Sequence, residues 1–541
     1  MAPKSLFSFS FSTSLSPFSL THNPHNSLVQ NLNKSTPIFF CKLQISTPIT
    51  ETSGTGAAAP TRGDVFLSRQ QSIEAASITK PKKKPKKKPK ISTDITCCYG
   101  CGAPLQIIQV DAPGYVHPPT YELKKKHKQL KTVLCRRCKL LSHGHMITAV
   151  GGNGGYSGGK QFVTADELRQ KLAHLRDEKV LIVKLVDIVD FNGSFLARIR
   201  DLAGSNPIIL VVTKVDLLPK GTNFNCVGDW VVEATTKKKL NVISVHLTSS
   251  KSLVGIAGVA SEIQNEKKGR DVYILGAANV GKSAFINALL KMMSQKDLVA
   301  AAARKYKPIQ SAVPGTTLGP IAIDAFIGDG KLYDTPGVHL HHRQAAVIHS
   351  EDLPSLAPQS RLKGRTFPVA SDDLNGFSIF WGGLVRVDVL KVLPSTRLTF
   401  HGPKALQIHV VPTAEADAFY QKEVGVLLTP PSSKHRADDW AGLEISRDLR
   451  IKSENPRRPA CDIAVSGLGW ITVNSVDEPH ESFSSEISEE VPGELHFVVH
   501  VPKPVEIFVR PPLPVGKSGE EWYEYRDLTE KEEELRPKWY F

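Results

Sequence analysis

Apolar and polar positions along this 541-residue chain fall into distinct textures. From Thr164 to about residue 340, short apolar runs alternate with amphipathic stretches. The runs "VLIVKLVDIVD", "NPIILVVTKVD", "KLNVISVHLTSS" and "DVYIL" predict buried strands, and "ADELRQKLAHLRDE" and "SAFINALLKMM" predict helices. This alternation is the signature of a parallel sheet covered by helices. After about residue 366 the segments shorten: "FSIFWGGLVRVDVL", "RLTFHG", "ALQIHVVP", "DIAVSGLGWITV" and "ELHFVVHVPKPVEIFVRPPL" predict a β-rich domain over 366–541. The tail "DLTEKEEELRPKWYF" is charged and then aromatic, and reads as an end packed on that domain. Ahead of residue 161 lies a small cysteine-containing unit beginning near Ile91, closed by the glycine-rich linker Gly151–Lys160. No internal repeat is evident.

Composition changes the picture at the N-terminus. The net charge is +15, yet residues 1–90 hold 13 Lys and Arg against 3 acids, leaving the remainder only mildly basic. The first 50 residues contain no acid and no Arg but 15 Ser or Thr. That predicts a plastid transit peptide over about 1–45, with the mitochondrion as the alternative address. Residues 46–90 read as a disordered linker. Its "KPKKKPKKKPK" tract (Lys80–Lys90) suits either an extended, solvated spacer or a phosphate-binding arm for RNA. No apolar run reaches the roughly 18 residues of a membrane span. Eight cysteines are too few for a disulfide framework at this length.

Gly276, Gly281, Lys282 and Ser283 match GxxxxGK[ST], preceded by the apolar run Val272–Leu275 and followed by a predicted helix. Backbone N–H groups must approach a phosphate closely, so glycine is needed where a side chain would clash. Lys282 would reach the β- and γ-phosphates and Ser283 would ligate Mg2+. Two look-alikes lack this context: Gly154–Lys160 is followed by Gln161, and Gly516–Ser518 sits among prolines. Downstream, "LYDTPG" places Asp334 to hold the magnesium ion, through water, and the Gly337 N–H to meet the γ-phosphate. Between the two, Thr317, or alternatively Thr316, offers the second hydroxyl ligand from a switch loop. "TKVD" supplies guanine choice: Asp216 accepts from both the ring N–H and the exocyclic amine. Lys214 lays its stem along the base, and Ser249, Ser250 and Lys251 back it. Thr213 stands where asparagine is usual, which predicts a weaker contact there.

These motifs occur in rotated order, with base recognition before the phosphate loop. An α/β sheet tolerates such a cut when the old termini lie close in space. The segment after DTPG, "VHLHHRQAAVIHSEDLP", is thereby freed to lead toward the C-terminal domain. With "CCYGCGAPLQ", "LCRRCKLLSHGHMI", "VDIVDFNGSF", "VPGTTLGP" and "SGLGWITV", the chain over 91–541 resembles the circularly permuted GTPases of the bacterial YqeH type. It is closest to their plant plastid branch, the "nitric oxide associated" proteins. The resemblance implies a permuted P-loop GTPase domain over 161–365, a parallel sheet with helices on both faces. An N-terminal zinc-knuckle domain and a β-rich C-terminal domain flank it. It further implies GTP binding and hydrolysis, ribosomal RNA or a small ribosomal subunit precursor as partner, and the chloroplast stroma as location. Asn279 matches an asparagine with which related GTPases bind potassium; the alternative is that it packs the loop. Val338 follows DTPG where Ras-like enzymes carry a water-orienting glutamine, so unaided hydrolysis is expected to be slow. His339, His341 and His342 read as solvated or partner-binding rather than as bases.

Cys98-x2-Cys101 and Cys135-x2-Cys138 form two knuckles, each offering two thiolates to one tetrahedral zinc. Knuckle geometry selects Cys98 over the adjacent Cys97; redox chemistry is the alternative for the pairs. Around them Lys124, Lys125, Lys126, Lys128, Lys131, Arg136, Arg137 and Lys139 make a basic surface suited to RNA backbone. Three function classes follow: a GTPase switch, a GTP-holding scaffold with negligible turnover, and a redox enzyme. The last is disfavoured, because neither a CxxCH haem site nor a GxGxxG fingerprint occurs.

Overall fold

Strands β1 (Leu181–Asp187), β2 (Ile208–Thr213), β3 (Val242–Leu247) and β4 (Val272–Leu275) are buried at nearly every position. Their unbroken Val/Ile/Leu runs therefore mark a sheet covered on both faces. β5 (Ile321–Ile323) and β6 (Leu332–Asp334) follow. The computed structural model of the chain describes residues 96–143, 163–196, 199–306, 308–309, 315–366, 374–394, 396–453, 455, 457–475 and 493–541. The expected transit peptide, the Lys/Pro tract and the linker Gly151–Lys160 lie outside these residues. No helix among the described residues is long and apolar enough to cross a membrane.

Local chemistry starts the elements where the pattern expects them. A reciprocal capping box between Thr164 and Glu167 opens the helix Ala165–Lys171. Asn223 caps Phe224–Thr236 by accepting from the Asn225 N–H at 2.8 Å.

The β-rich part comprises β7 (Arg365–Thr366), β8 (Phe377–Trp381), β9 (Val385–Lys391), β10 (Thr396–His401), β11 (Ile408–Pro412), β12 (Ile445–Ser453), β13 (Cys461–Val465), β14 (Gly469–Ser475), β15 (Gly493–Val501) and β16 (Ile507–Arg510). Among the described residues these form two antiparallel sheets, ordered β16-β13-β14-β10-β7 and β11-β8-β9-β15-β12. They share one core, in which Trp381 meets Phe400 edge-on with ring centroids 5.4 Å apart.

The tail departs from expectation. β17 (Lys538–Tyr540) joins the nucleotide-domain sheet, whose order is β17-β3-β2-β1-β4-β6-β5. All its pairs are parallel except β5 with β6. Without β17, the backbone groups along the outer side of β3 would stand open as a sheet edge. Aromatic contacts hold it there: Phe541 stacks on Phe224 at 4.1 Å and Tyr540 on His246 at 4.9 Å. The Trp539 ring lies so close over Gly228 that a Cβ there would come within 2.4 Å of it. Residues 538–540 thus belong to the sheet begun by β1, not to the β-rich domain.

The order β3-β2-β1-β4-β6 also displays the rotation. The base-side strands precede the phosphate-side strands in sequence, and β4 fits beside β1 in the middle. The segment after β6 does lead into the β-rich domain. His342 O accepts from the Glu506 N–H at 3.1 Å, and the Gln344 N–H donates to Ser466 O at 2.9 Å. Asp352, 3% exposed, accepts from Arg436 at 2.7 Å and from the Ser432 hydroxyl. The segment then returns to the base loop, where the Leu362 N–H donates to Leu217 O at 2.7 Å.

Candidate active site and metal centre

The β4 strand ends in a loop that must turn back onto a helix N-terminus. Gly281 turns it at φ 91° as the N-cap of the helix Lys282–Met293. Gly276 has no room for a side chain, since a Cβ would stand 2.9 Å from Val280 and 3.2 Å from Leu185 O. Across the loop, the Ala278 N–H donates to Val338 O at 2.7 Å, joining the phosphate loop to the DTPG segment. Gly337 is required there for a different reason: its Cβ would sit 2.8 Å from Lys282 Nζ.

Lys282 Nζ, buried, donates to Gly276 O at 3.1 Å and Ala277 O at 3.0 Å. Burial brings its pKa down to about 8. Asp334 is fully buried at the end of β6; burial pushes its carboxyl up to about 7, against the pull of Lys282. Its Oδ2 has only a 3.5 Å contact with the Thr317 hydroxyl, and its Oδ1 has no hydrogen-bond partner among the described residues. A buried, half-satisfied carboxylate beside two hydroxyl-bearing loops fits a hard cation with oxygen ligands.

A cleft of about 400 Å³ opens beside these groups, and Asp334, buried behind Thr317, does not itself line it. Asn279, Gly281, Lys282, Ser283, Thr316, Thr317 and Gly337 line it, and so does Lys214. Lys214 takes a left-handed conformation at φ 64°. Its ammonium bonds Asp187 at 2.5 Å and the Asn279 carbonyl at 2.8 Å. Thr213 is buried, and its hydroxyl donates to Val280 O at 2.7 Å and Val186 O at 3.0 Å. Thr213 thereby ties its own loop to the phosphate loop. Asp216 and the loop Ser249, Ser250, Lys251 lie outside the cleft lining. Their two loops do meet, through the Val215 N–H bonded to Thr248 O at 3.2 Å. Beside Leu217 the wall is completed by Leu353, Leu356 and Ala357–Gln359 of the segment after DTPG.

Val338 is 1% exposed and its side chain belongs to the apolar core, so it has no route to a water in the cleft. None of His339, His341 and His342 lines the cleft either. Two functional candidates are invisible to sequence reasoning. Arg343 lines the cleft, donating to Asp190 at 2.8 Å and to the phosphate-loop carbonyl of Ala278 at 2.6 Å. Asp187 anchors Lys214. Both stand in family-like stretches, "LYDTPGVHLHHR" and "VDIVDFNGSF", but no spacing rule announces contacts across 27 to 153 residues.

The four knuckle cysteines are fully buried, and their sulfurs all lie within 4.8 Å of one another. Cys101 and Cys135 Sγ are 3.9 Å apart; ligands of a tetrahedral zinc at about 2.3 Å stand about 3.8 Å from each other. Hydrogen bonding among the sulfurs raises the Cys101 and Cys138 thiols and lowers those of Cys98 and Cys135. The set fits zinc, and Cys97 lies outside it. Of the basic residues around it, Lys125, Lys126, Lys128, Lys131, Arg136 and Lys139 are exposed. Arg137 is not: it is 3% exposed and bonded to the carbonyls of Gly315 and Thr316, which removes it from the expected RNA-facing surface.

Comparison with known proteins agrees with this geometry. Residues 271–357 match the family described as "50S ribosome-binding GTPase", and residues 395–513 match "YqeH-like, C-terminal". A protein of Oryza sativa subsp. japonica, named "Putative nitric oxide synthase", is 68% identical over 90% of this chain and 92% of its own length. "NO-associated protein 1, chloroplastic/mitochondrial" of Arabidopsis thaliana is 63% identical over 96% of this chain and 97% of its own length. "Uncharacterized protein YqeH" of Bacillus subtilis (strain 168) is 33% identical over 76% of this chain and 98% of its own length. With phosphate loop, DTPG segment and rotated strand order in place, the chain belongs to the YqeH-type circularly permuted GTPases and hydrolyses GTP.

Proposed function

We propose that this GTPase is a nucleotide-driven switch acting on a small ribosomal subunit precursor, through its ribosomal RNA, in the chloroplast stroma. The observation that carries the reading is the path of residues 338–362. They bond the phosphate loop at Ala278, then the β-rich domain at Ser466 and Arg436, then the base loop at Leu217. A γ-phosphate that moves Gly337 therefore pulls on the domain next along the chain.

In this reading Asp216 selects guanine, the stem of Lys214 covers it, and Ser249, Ser250 and Lys251 form its backing. Thr213 holds that loop to the phosphate loop. Lys282 binds the β- and γ-phosphates at the helix N-terminus, with Gly276 and Gly281 giving backbone access. Ser283, Thr317 and Asp334 hold Mg2+, which supplies neutralisation of charge developing on the phosphates. Asn279, exposed in the phosphate loop with φ 62°, would hold K+ beside them. Cys98, Cys101, Cys135 and Cys138 hold zinc, which staples the two knuckles. The exposed lysines near the knuckles and the β-rich domain supply the RNA-facing surface. Support for the setting comes from the ribosome-binding description of the matched family, the chloroplastic/mitochondrial name of the Arabidopsis relative, and the acid-free N-terminal composition. Slow turnover without a partner follows from Val338.

The test is sedimentation of chloroplast ribosomal fractions with the wild-type protein and Lys282→Ala, each with GTP or GDP. The expected result is GTP-dependent co-sedimentation of the wild type that the variant loses. Co-sedimentation indifferent to both nucleotide and mutation refutes the switch.

A further inference from the structure

The cysteine knuckles do not stand apart from the nucleotide site. The Cys101 carbonyl accepts from the N–H groups of Leu318 at 2.7 Å and Gly319 at 3.2 Å. From the second knuckle, the guanidinium of Arg137 donates to Gly315 O at 2.8 Å and Thr316 O at 3.2 Å. Leu318 itself packs against the four cysteines together with Leu134 and Ile309. Gly102 and Gly319 pass so closely that a Cβ on Gly319 would come 2.6 Å from Gly102 O. These contacts fall on both sides of Thr317, which lines the cleft and points its hydroxyl toward Asp334.

We propose that Arg137 is a positioning residue for GTP recognition and hydrolysis, acting through the Gly315 and Thr316 carbonyls to hold Thr317 ready for the γ-phosphate form. The inference rests on the reading of Thr317 as a magnesium ligand. Its logic is entropic. A Gly/Pro-rich switch loop ordinarily surrenders its freedom only when nucleotide binds, and that loss is subtracted from affinity. A loop already fixed on both sides of Thr317 escapes part of the loss, but only for the triphosphate, because the diphosphate does not recruit Thr317. The guanidinium suits this role because it is planar, always charged, and reaches two carbonyls at once. Its position between Cys135 and Cys138 means that whatever fixes the knuckle fixes the arginine. By reciprocity, a bound GTP analogue stabilises the knuckle by the factor with which the knuckle favours the analogue.

The experiment measures binding of a non-hydrolysable GTP analogue and of GDP, each with Mg2+, to the full chain by calorimetry. Four variants are compared: Arg137→Gln, Arg137→Lys, Gly319→Ala and Thr317→Ala. Gly319→Ala separates the two surfaces from the switch side, leaving the arginine and all four cysteines in place, so the test survives a knuckle that folds poorly in Arg137→Gln. Losing the charge-assisted bonds in Arg137→Gln, or forcing the knuckle off the switch loop in Gly319→Ala, should lower the ratio of analogue to GDP affinity about tenfold, with GDP affinity itself unchanged. Arg137→Lys, retaining the charge but not the fork, should recover part of the ratio. A zinc chelator should strip metal more slowly from the wild type holding the analogue than from the wild type holding GDP. An unchanged ratio in Arg137→Gln and Gly319→Ala, with a lowered one in Thr317→Ala, overturns the role of Arg137. An unchanged ratio in Thr317→Ala overturns the underlying reading of Thr317 instead.

Discussion

Replacing Asp334 by asparagine should stabilise the nucleotide-free protein while destroying its response to Mg2+ and GTP. The carboxylate is fully buried, with one oxygen unpaired among the described residues, and burial lifts its pKa from 3.8 to about 7. A pKa raised by folding means that the folded state holds the proton more tightly than the unfolded chain. The associated stability is complete below pH 3.8 and is lost as pH rises through 7. Three pKa units at about 1.4 kcal/mol each put the penalty above pH 7 at about 4 kcal/mol. The asparagine variant escapes it but deprives Lys282 of a neighbouring negative charge, so the net gain expected is about 2 kcal/mol. For a domain of this size that corresponds to about 4–8 °C in melting temperature. Differential scanning fluorimetry at pH 8 and pH 5 reads it directly: the advantage should be present at pH 8 and less than half as large at pH 5. Saturating Mg2+ and GTP analogue should reverse the order, because ligand at about 100 times its Kd stabilises the wild type by about 2.7 kcal/mol. A variant less stable than wild type by the same amount at both pH values would show that Asp334 serves the fold alone.

Potassium should accelerate GTP hydrolysis by the wild type about tenfold or more relative to sodium, and Asn279→Ala should abolish that difference. Full potassium acceleration in the variant would mean that Asn279 only packs the loop. Trp539→Ala should cost about 2 kcal/mol, since the half-buried ring closes the sheet edge over Gly228. An unaltered thermal transition of the nucleotide domain would contradict that placement of the tail.

The parts legible in sequence are those where a few adjacent residues carry the whole physical requirement. A phosphate loop needs glycines at Gly276 and Gly281 whatever surrounds it, and paired CxxC spacing points to a metal before any fold is known. The β-rich domain is readable because its strands repeat an inward-facing period. What escapes depends on distant partners. Arg137 looks like one more member of a basic surface, and only its approach to Gly315 and Thr316, 178 and 179 residues away, removes it from solvent. Nothing local shows that the Thr213 hydroxyl joins two loops, because its partners Val280 and Val186 lie 67 and 27 residues away. The strand Lys538–Tyr540 is too short to show a period, and nothing in three residues tells which sheet edge they complete. Arg343 likewise needs Asp190 beside it before its charge has an address.

The return of the chain to β17 has a mechanical consequence. The polypeptide leaves the nucleotide sheet after β6, next to the edge strand β5, traverses both antiparallel sheets, and rejoins at the opposite edge beside β3. A body tied to its support at one point is free to tumble, whereas a body tied at two turns about the line between them. The β-rich domain is tied more firmly still: Ala464 and Trp470 enter the core of the nucleotide domain and the Trp230 indole N–H donates to Pro511 O at 3.2 Å, so the two are held along a broad seam and not by a hinge.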